Sequence, residues 1–311
     1  VRKNLNLKKF KNLCGFVKNK SIKLQFMEKE FKEFLNKNFG EHITTKLLND
    51  NKLSLKKGDA NNIYNGDLEG NKKKVIELVE SEYHEKINEN DWAFDFPGWI
   101  GELDFTKVNV KEILVIGMEP HIGEGGRTAQ VTYGLRETAD NDFSELGEHL
   151  GNRRLWNNLN AVFNNDDSKY YNEETYKKPL DLDFKNFLEK IYITDMSHFA
   201  IKGTVKKTIA FKDWNNIRSK NATNYISETI TLIKPKFIVS QGSKVTGFIN
   251  KNFDFAKDGD LTFFRKNQDG IYHIILPHLA SGNTNNFWFP KNPEKREPNI
   301  DKIKKQFDKL K

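Results

Sequence analysis

The sequence contains little cysteine and no long apolar run. Its one cysteine among 311 residues, Cys14, excludes an internal disulfide, a cysteine-ligated iron–sulfur cluster and a zinc ribbon. No segment approaches the roughly 18 consecutive apolar residues that a membrane-spanning helix needs, and residues 1–10 lack the apolar core of a signal peptide. We therefore expect a soluble, cytoplasmic protein without a membrane partner.

Charged residues are plentiful, and positive charge is in excess. The chain has 51 Lys and Arg residues against 43 Asp and Glu residues, so its formal net charge is +8 and its pI is near 9.1. This balance favours a polyanionic partner such as nucleic acid, although lysine-rich faces are often merely solvated. Aromatic residues make up 12% of the chain and provide bulky side chains for a core, so wholesale disorder is not expected.

Residues 1–90 differ in composition from the rest of the chain, because they are rich in Lys and Asn and contain no long apolar run. Within them, residues 27–38 place Phe31, Phe34 and Leu35 at spacings of three and four, which predicts an amphipathic helix with a solvated basic face. We interpret residues 1–90 as a helical extension that packs on the main domain.

The main domain is predicted over residues 91–311, where short apolar runs alternate with helical segments. This alternation favours a three-layer α/β/α sandwich around a mostly parallel central sheet of about four strands. The predicted strands are 112–117, 191–194, 236–240 and 271–276. Helices are predicted at 72–83 in the extension and, in the main domain, at 144–163, 184–190, 223–233, 243–252 and 300–310. Residues 261–265 resemble an extra strand that turns through Gln268–Gly270 into the fourth run.

Polar and glycine residues follow each predicted strand of the main domain. Because ligands of an open parallel sheet bind beyond the carboxyl ends of its strands, these residues are candidates for a functional site. Ionised Glu119 could orient or deprotonate a water molecule, and His278 could donate a hydrogen bond to a departing anion. The glycine-rich loop after the first strand matches neither GxGxxG nor a Walker loop, and Glu119, His121 and Glu124 lack an HExxH-type spacing. We therefore expect no cofactor and no metal.

Four segments of the main domain resemble, in order, the landmarks of the uracil-DNA glycosylase superfamily. They are GMEPHIGEGGRT at 117–128, ITD at 193–195, IKPKFIVSQG at 233–242 and LPHLASGNTNN at 276–286. The family has a water-activating G-x-(D/N)-P motif, an Asn-terminated base-reading strand, a P-x-x-(I/V)-(I/V)-x-x-G strand and an H-P-S loop that probes the minor groove. The first segment is most similar to the single-strand-selective branch, and a single cysteine excludes the usual form of the cluster-bearing branch.

The resemblance implies roles for individual residues. Glu119 falls where the family has the residue that positions the hydrolytic water, and its negative charge would also favour a cation-like sugar. His278 falls at the histidine that hydrogen-bonds the departing base. The implied contacts with the flipped nucleotide come from the backbone at Gly117 and Met118 and from stacking by Tyr133, and Ser281, Asn283 and Asn285 would contact the groove. Independently of the resemblance, the guanidinium group of Arg127 follows the first strand, where it would suit a phosphate contact. A core aromatic remains the alternative for Tyr133.

Asp195 stands where the family has the base-reading Asn. An amide both donates and accepts hydrogen bonds, which suits uracil, whereas a carboxylate only accepts and favours the exocyclic amino group of a cytosine-like base. Because a glycosylase that removed ordinary cytosine would damage normal DNA, the resemblance implies that the substrate base is a modified cytosine. Two alternatives stay open for Asp195, a helix N-cap and a protonated carboxyl that mimics Asn. The chain also departs from the H-P-S loop, because Leu279 follows His278 where the family has Pro.

These features predict a monofunctional DNA glycosylase that acts as a monomer on DNA. Its substrate would be a modified cytosine, such as a hypermodified phage base, or uracil. It would hydrolyse the N-glycosidic bond and leave an abasic site, in base-excision repair or in defence against phage DNA. Two alternatives remain: a non-catalytic module on the same fold that binds DNA or protein, and an α/β hydrolase of free nucleosides or nucleotides.

Overall fold

The structure is a computed structural model, and the chain has a mixed α/β fold. The residues that it describes are 29–38, 92–94, 98–99, 112–117, 121–122, 128–129, 153–164, 187, 190–196, 199–201, 216–276, 287–288 and 298–310. The predicted helix at 72–83 lies outside these ranges.

The elements are numbered in chain order. The strands are β1 (Trp92–Phe94), β2 (Gly98–Trp99), β3 (Ile113–Gly117), β4 (His121–Ile122), β5 (Thr128–Ala129), β6 (Ile191–Asp195), β7 (Phe199–Ile201), β8 (Phe237–Gln241), β9 (Ala256–Lys257), β10 (Phe264–Lys266) and β11 (Tyr272–Leu276). The helices are α1 (29–38), α2 (Arg153–Asn164), α3 (Asn216–Ile233), α4 (Ser243–Asn252) and α5 (Asn299–Asp308).

In the described part of the chain, the main sheet contains seven strands in the order β2-β6-β3-β8-β11-β10-β9. Its central strands β6, β3, β8 and β11 run parallel, and they are the four apolar runs of the sequence. The outer strands β2, β10 and β9 pair antiparallel. The predicted mostly parallel sheet is confirmed, and so is the turn from β10 into β11. The predicted number of about four strands is too low, because outer strands of two or three residues are too short to form an apolar run.

One face of the sheet packs on α2 and α5. Ile113 and Val115 of β3 and Val239 of β8 lie in one apolar core with Leu159 of α2 and Ile303 of α5. Each of these side chains is fully buried, and burial of a side chain of this size contributes about 1.5–3 kcal/mol. This core therefore holds β3 and β8 firmly against the two helices.

Helices α3 and α4 contact the opposite face. Thr194 of β6 hydrogen-bonds Tyr225 of α3, and Ser240 of β8 hydrogen-bonds Thr246 of α4. Both strand residues pair with Ile116, and successive residues of a strand point to opposite faces, so they point away from the apolar core of α2 and α5. Helices therefore contact both faces. No helix in the described part of the chain is both long and apolar enough to cross a bilayer.

Helix α1 buries the three apolar side chains that its spacing predicts. The ring of Phe34 stacks on the ring of Tyr225 in α3, with centroids 5.6 Å apart. Lys37 forms a salt bridge with Glu228 of the same helix. Helix α1 therefore packs on α3. The other residues of 1–90 lie outside the described ranges, and the helical extension as a whole stays a prediction.

Candidate functional site at the carboxyl edge of the sheet

The four parallel strands end side by side at one edge of the sheet. Gly117 of β3 pairs with Asp195 of β6, and Gln241 of β8 pairs with Leu276 of β11. Strands β3 and β8 are themselves in register up to the pair of Ile116 and Ser240. With neighbouring strands about 4.8 Å apart, the four ends span roughly 14 Å. The described strand ends within the four segments that carry the family resemblance therefore meet at a single edge.

The carboxylate of Asp195 lies directly against the backbone of Gly117. A Cβ atom placed on Gly117 would overlap Asp195 Oδ1 and would lie 3.2 Å from Asp195 Cγ. The backbone N–H of Met196 donates to the carbonyl oxygen of Gly117 at 3.0 Å, so the two strands stay paired to their ends. Any side chain at position 117 would displace this half-buried carboxylate. Gly117 is thus needed for the position of Asp195.

Asp195 ends a strand and does not begin a helix. From β6 the chain passes a bend at Met196 and forms β7, which pairs antiparallel with β1. Only three residues separate Asp195 from Phe199, the first residue of β7, which leaves no room for a helix between them. The helix N-cap interpretation of Asp195 is therefore wrong. Its roles as a base-reading carboxylate or as a protonated Asn mimic stay predictions.

A buried pair of hydroxyl groups lies next to Asp195. Thr194 Oγ1 and Tyr225 OH are 2.6 Å apart, and Thr194 immediately precedes Asp195 in β6. Burial raises the pKa of Tyr225 well above its usual value of 10, and the nearby Tyr192 and the negative charge of Asp195 raise it further. Tyr225 is therefore neutral at physiological pH. Nothing in the spacing of the sequence pairs these two hydroxyl groups, because they lie 31 positions apart.

A second buried polar group joins β8, β11 and α4. His273 Nε2 is 2.6 Å from Ser240 Oγ, His273 Nδ1 is 2.8 Å from Asn250 Oδ1, and Ser240 Oγ is 2.7 Å from Thr246 Oγ1. Because an amide oxygen only accepts, Nδ1 carries the ring proton and Nε2 accepts the hydroxyl proton of Ser240. Burial, together with the charge of Arg265 on the adjacent strand, lowers the pKa of His273 to about 3.

This second group has the residue types of a hydrolytic triad but not its accessibility. A nucleophilic serine and its histidine base must contact the substrate. Ser240 and His273 are both fully buried, with 0% of their surface exposed. Their hydrogen bonds therefore hold α4 against the sheet and do not form a catalytic centre.

The N-terminus of α4 lies at the same carboxyl edge. Gly242 precedes it with φ of 97°, in a region that favours glycine, and its N–H donates to the carbonyl oxygen of Leu276 at 3.3 Å. Gly242 occupies the N-cap position and has no side chain with which to cap the helix. The first N–H groups of a helix and its dipole favour an anion at this end. The edge therefore combines a carboxylate on β6 with a weakly positive helix end after β8.

Of the residues predicted for the site, the structure describes Gly117 and Asp195 and brings them together. The other predicted site residues lie outside the described residues, and their roles stay predictions: Met118, Glu119, Arg127, Tyr133, His278, Ser281, Asn283 and Asn285. In the described part of the chain, no three His, Cys, Asp or Glu side chains lie together in a way that could hold a metal ion.

The edge is suited to a polar ligand that presents hydrogen-bond donors to Asp195. The sequence matches no protein-family model, and it matches no curated protein.

Proposed function

We propose that the protein is a monofunctional DNA glycosylase whose catalytic domain is an α/β/α sandwich over residues 91–311. It flips a non-standard pyrimidine out of DNA to the carboxyl edge of the sheet and hydrolyses the N-glycosidic bond. A modified cytosine is the preferred base and uracil the second. The observation that carries this proposal is the meeting of the four strand ends at one edge, with the Asp195 carboxylate held against Gly117.

Chain length supports the two catalytic roles. Glu119 and His278 each follow a described strand end by two residues, Gly117 in one case and Leu276 in the other. Two residues span at most about 7 Å, and the two strand ends, with β8 between them, are about 10 Å apart. These lengths allow a carboxylate and an imidazole to approach one bound nucleoside. In the proposal Glu119 orients the attacking water, and His278 donates a hydrogen bond to the departing base.

Asp195 selects the base. Its carboxylate accepts the exocyclic amino group of a cytosine-like base, whereas the carbonyl of uracil at the same place would meet a second acceptor. An unsatisfied or repelled polar group costs about 1–3 kcal/mol, which corresponds to roughly 5- to 150-fold in kcat/KM. Gly117 supports this selection, because a larger residue would move the carboxylate.

The direct test measures abasic sites in oligonucleotides that contain uracil, 5-substituted cytosines or ordinary cytosine. We expect release of at least one modified base and none of ordinary cytosine. Protein shown to be folded that releases no base from any of these DNAs would overturn the proposal.

Salt dependence separates the proposal from its two alternatives. A glycosylase that contacts several phosphates loses DNA affinity steeply with added salt, and its base release falls in parallel. Salt-dependent DNA binding without release would identify a non-catalytic module. Release from free nucleosides with little response to salt would identify a nucleoside hydrolase.

A further inference from the structure

We infer that Phe34, Tyr225 and Thr194 position Asp195, so that helix α1 forms part of the support of the base-reading site. This inference deepens the proposed function and rests on it for the role of Asp195. It gives residues 29–38 a specific task, which the composition of residues 1–90 does not reveal.

The first step is the contact between α1 and α3. Phe34 and Tyr225 are 7% and 6% exposed, and their rings stack at an interplanar angle of 27°. Asn38 Nδ2 donates to Glu228 Oε2 at 3.1 Å, and Lys37 pairs with the same carboxylate. The aromatic stack and the polar contacts lie one helical turn apart on α3. Together they hold the ring of Tyr225 between α1 and the sheet.

The second step is the contact between α3 and β6. The hydroxyl group of Tyr225 hydrogen-bonds that of Thr194, and Thr194 is 1% exposed. Thr194 points to the α3 face of the sheet, and Asp195 points to the opposite face. Fixing the side chain of Thr194 fixes the backbone from which the Asp195 side chain projects. The negative charge of Asp195 also raises the pKa of Tyr225.

The third step is the contact between the Asp195 carboxylate and Gly117. Asp195 rests against Gly117, where its contact distances leave no room for a Cβ atom. The strength of a hydrogen bond to a base depends steeply on its angle, so a small rotation of this end of β6 would weaken recognition of the base by Asp195. A chain of contacts from Phe34 through Tyr225 and Thr194 to Asp195 therefore sets the geometry of base reading.

The test begins with a readout that needs no activity. In the full-length protein with 13C-labelled aspartate, the Asp195 carboxyl resonance is assigned from its loss in Asp195→Asn. We expect this resonance to shift in Tyr225→Phe, which keeps the ring and removes only the hydroxyl group. Thr194→Val should shift it in the same way, and Thr194→Ser, which retains the hydroxyl group, should restore it.

The matched control is Tyr272→Phe, the same chemical change at the amino end of β11. The control should leave the Asp195 resonance in place. An unchanged resonance in both Tyr225→Phe and Thr194→Val would overturn the inference. Phe34→Ala should reproduce the shift in a folded protein, whereas Leu35→Ala removes a buried side chain of the same helix and should not.

The second readout is the ratio of kcat/KM for the modified cytosine to that for uracil. One lost hydrogen bond that orients Asp195 should change this ratio by about three- to tenfold in Tyr225→Phe and by less than about twofold in Tyr272→Phe. An active wild type whose ratio and resonance both survive Tyr225→Phe would refute the positioning role and leave the glycosylase proposal standing. A shifted resonance in a protein that releases no base would support the positioning role and refute the glycosylase proposal.

Discussion

The buried histidine of the sheet makes the fold sensitive to acid. His273 has both ring nitrogens hydrogen-bonded, and burial together with Arg265 lowers its pKa to about 3 from the usual 6.5. In the unfolded chain this pKa returns to about 6.5. Between these two values the unfolded chain binds one more proton at His273 than the folded chain does. Stability is therefore retained above pH 6.5 and is lost as the pH falls toward 3.

The magnitude follows from the width of this pH window. Each pH unit below 6.5 costs about 1.4 kcal/mol in the free energy of unfolding, so acidification from pH 7.5 to pH 4.5 costs about 3 kcal/mol through His273 alone. Since small domains are stable by about 5–15 kcal/mol, this loss is a large part of the total.

Urea unfolding at pH 7.5, 5.5 and 4.5 measures this loss. His273→Gln keeps an amide that can hydrogen-bond but cannot titrate, so its stability should fall by about 3 kcal/mol less than that of the wild type over the same pH range. Thr246→Val is the control, because it removes a hydroxyl bonded to Ser240 without removing a titrating group. It should lower stability by about 1 kcal/mol at every pH. Equal losses in the wild type and His273→Gln would refute the reasoning.

Three further predictions concern the proposed site. Glu119→Gln should lower kcat by about 100-fold or more with little change in DNA affinity, as measured by single-turnover base release and by DNA titration. The control is Glu124→Gln in the same segment, which should retain turnover. Equal losses in kcat and in DNA affinity for Glu119→Gln would contradict its water-orienting role. Asp195→Asn should shift the kcat/KM ratio toward uracil by about tenfold or more, because an amide also donates, and an unchanged substrate profile would reject the base-reading argument. Gly117→Ala should displace the Asp195 carboxylate, lower the preference for modified cytosine and cost about 1–3 kcal/mol in urea unfolding. Its control is Gly247→Ala, because Gly247 lies in α4 with no atom within 4 Å of the added Cβ, and the argument fails if both alanine variants behave alike.

The sequence predicts the central parallel strands of the fold, but it does not predict the short strands β1 and β2 or the start of helix α3. Each parallel strand is a continuous apolar run, because both of its faces are covered, and α4 has its predicted bounds. Strands β1 and β2 leave no such run, since they have three and two residues and pair with strands about a hundred positions away. Helix α3 begins at Asn216, seven residues before its predicted start at Thr223, because residues 216–222 are mostly polar and carry no apolar spacing.

The contacts of the site are likewise predictable from the sequence only in part. Gly117 and Asp195 each come at the end of an apolar run, so their meeting follows from the parallel order of the strands. The pairing of Thr194 with Tyr225 depends on which helix covers which face, and helical spacing identifies a buried side without identifying its partner. The bond between Ser240 and His273 likewise depends on the register of β8 and β11, which join residues 33 positions apart.

The outer strand β9 has a consequence for association between molecules. It consists of Ala256 and Lys257, both exposed, and it pairs with β10 alone in the described part of the sheet. An edge of two residues offers an incoming strand very few hydrogen bonds, and a lysine on it must lose hydration when a second chain approaches. This margin of the sheet is therefore a poor template for edge-to-edge pairing with a second chain.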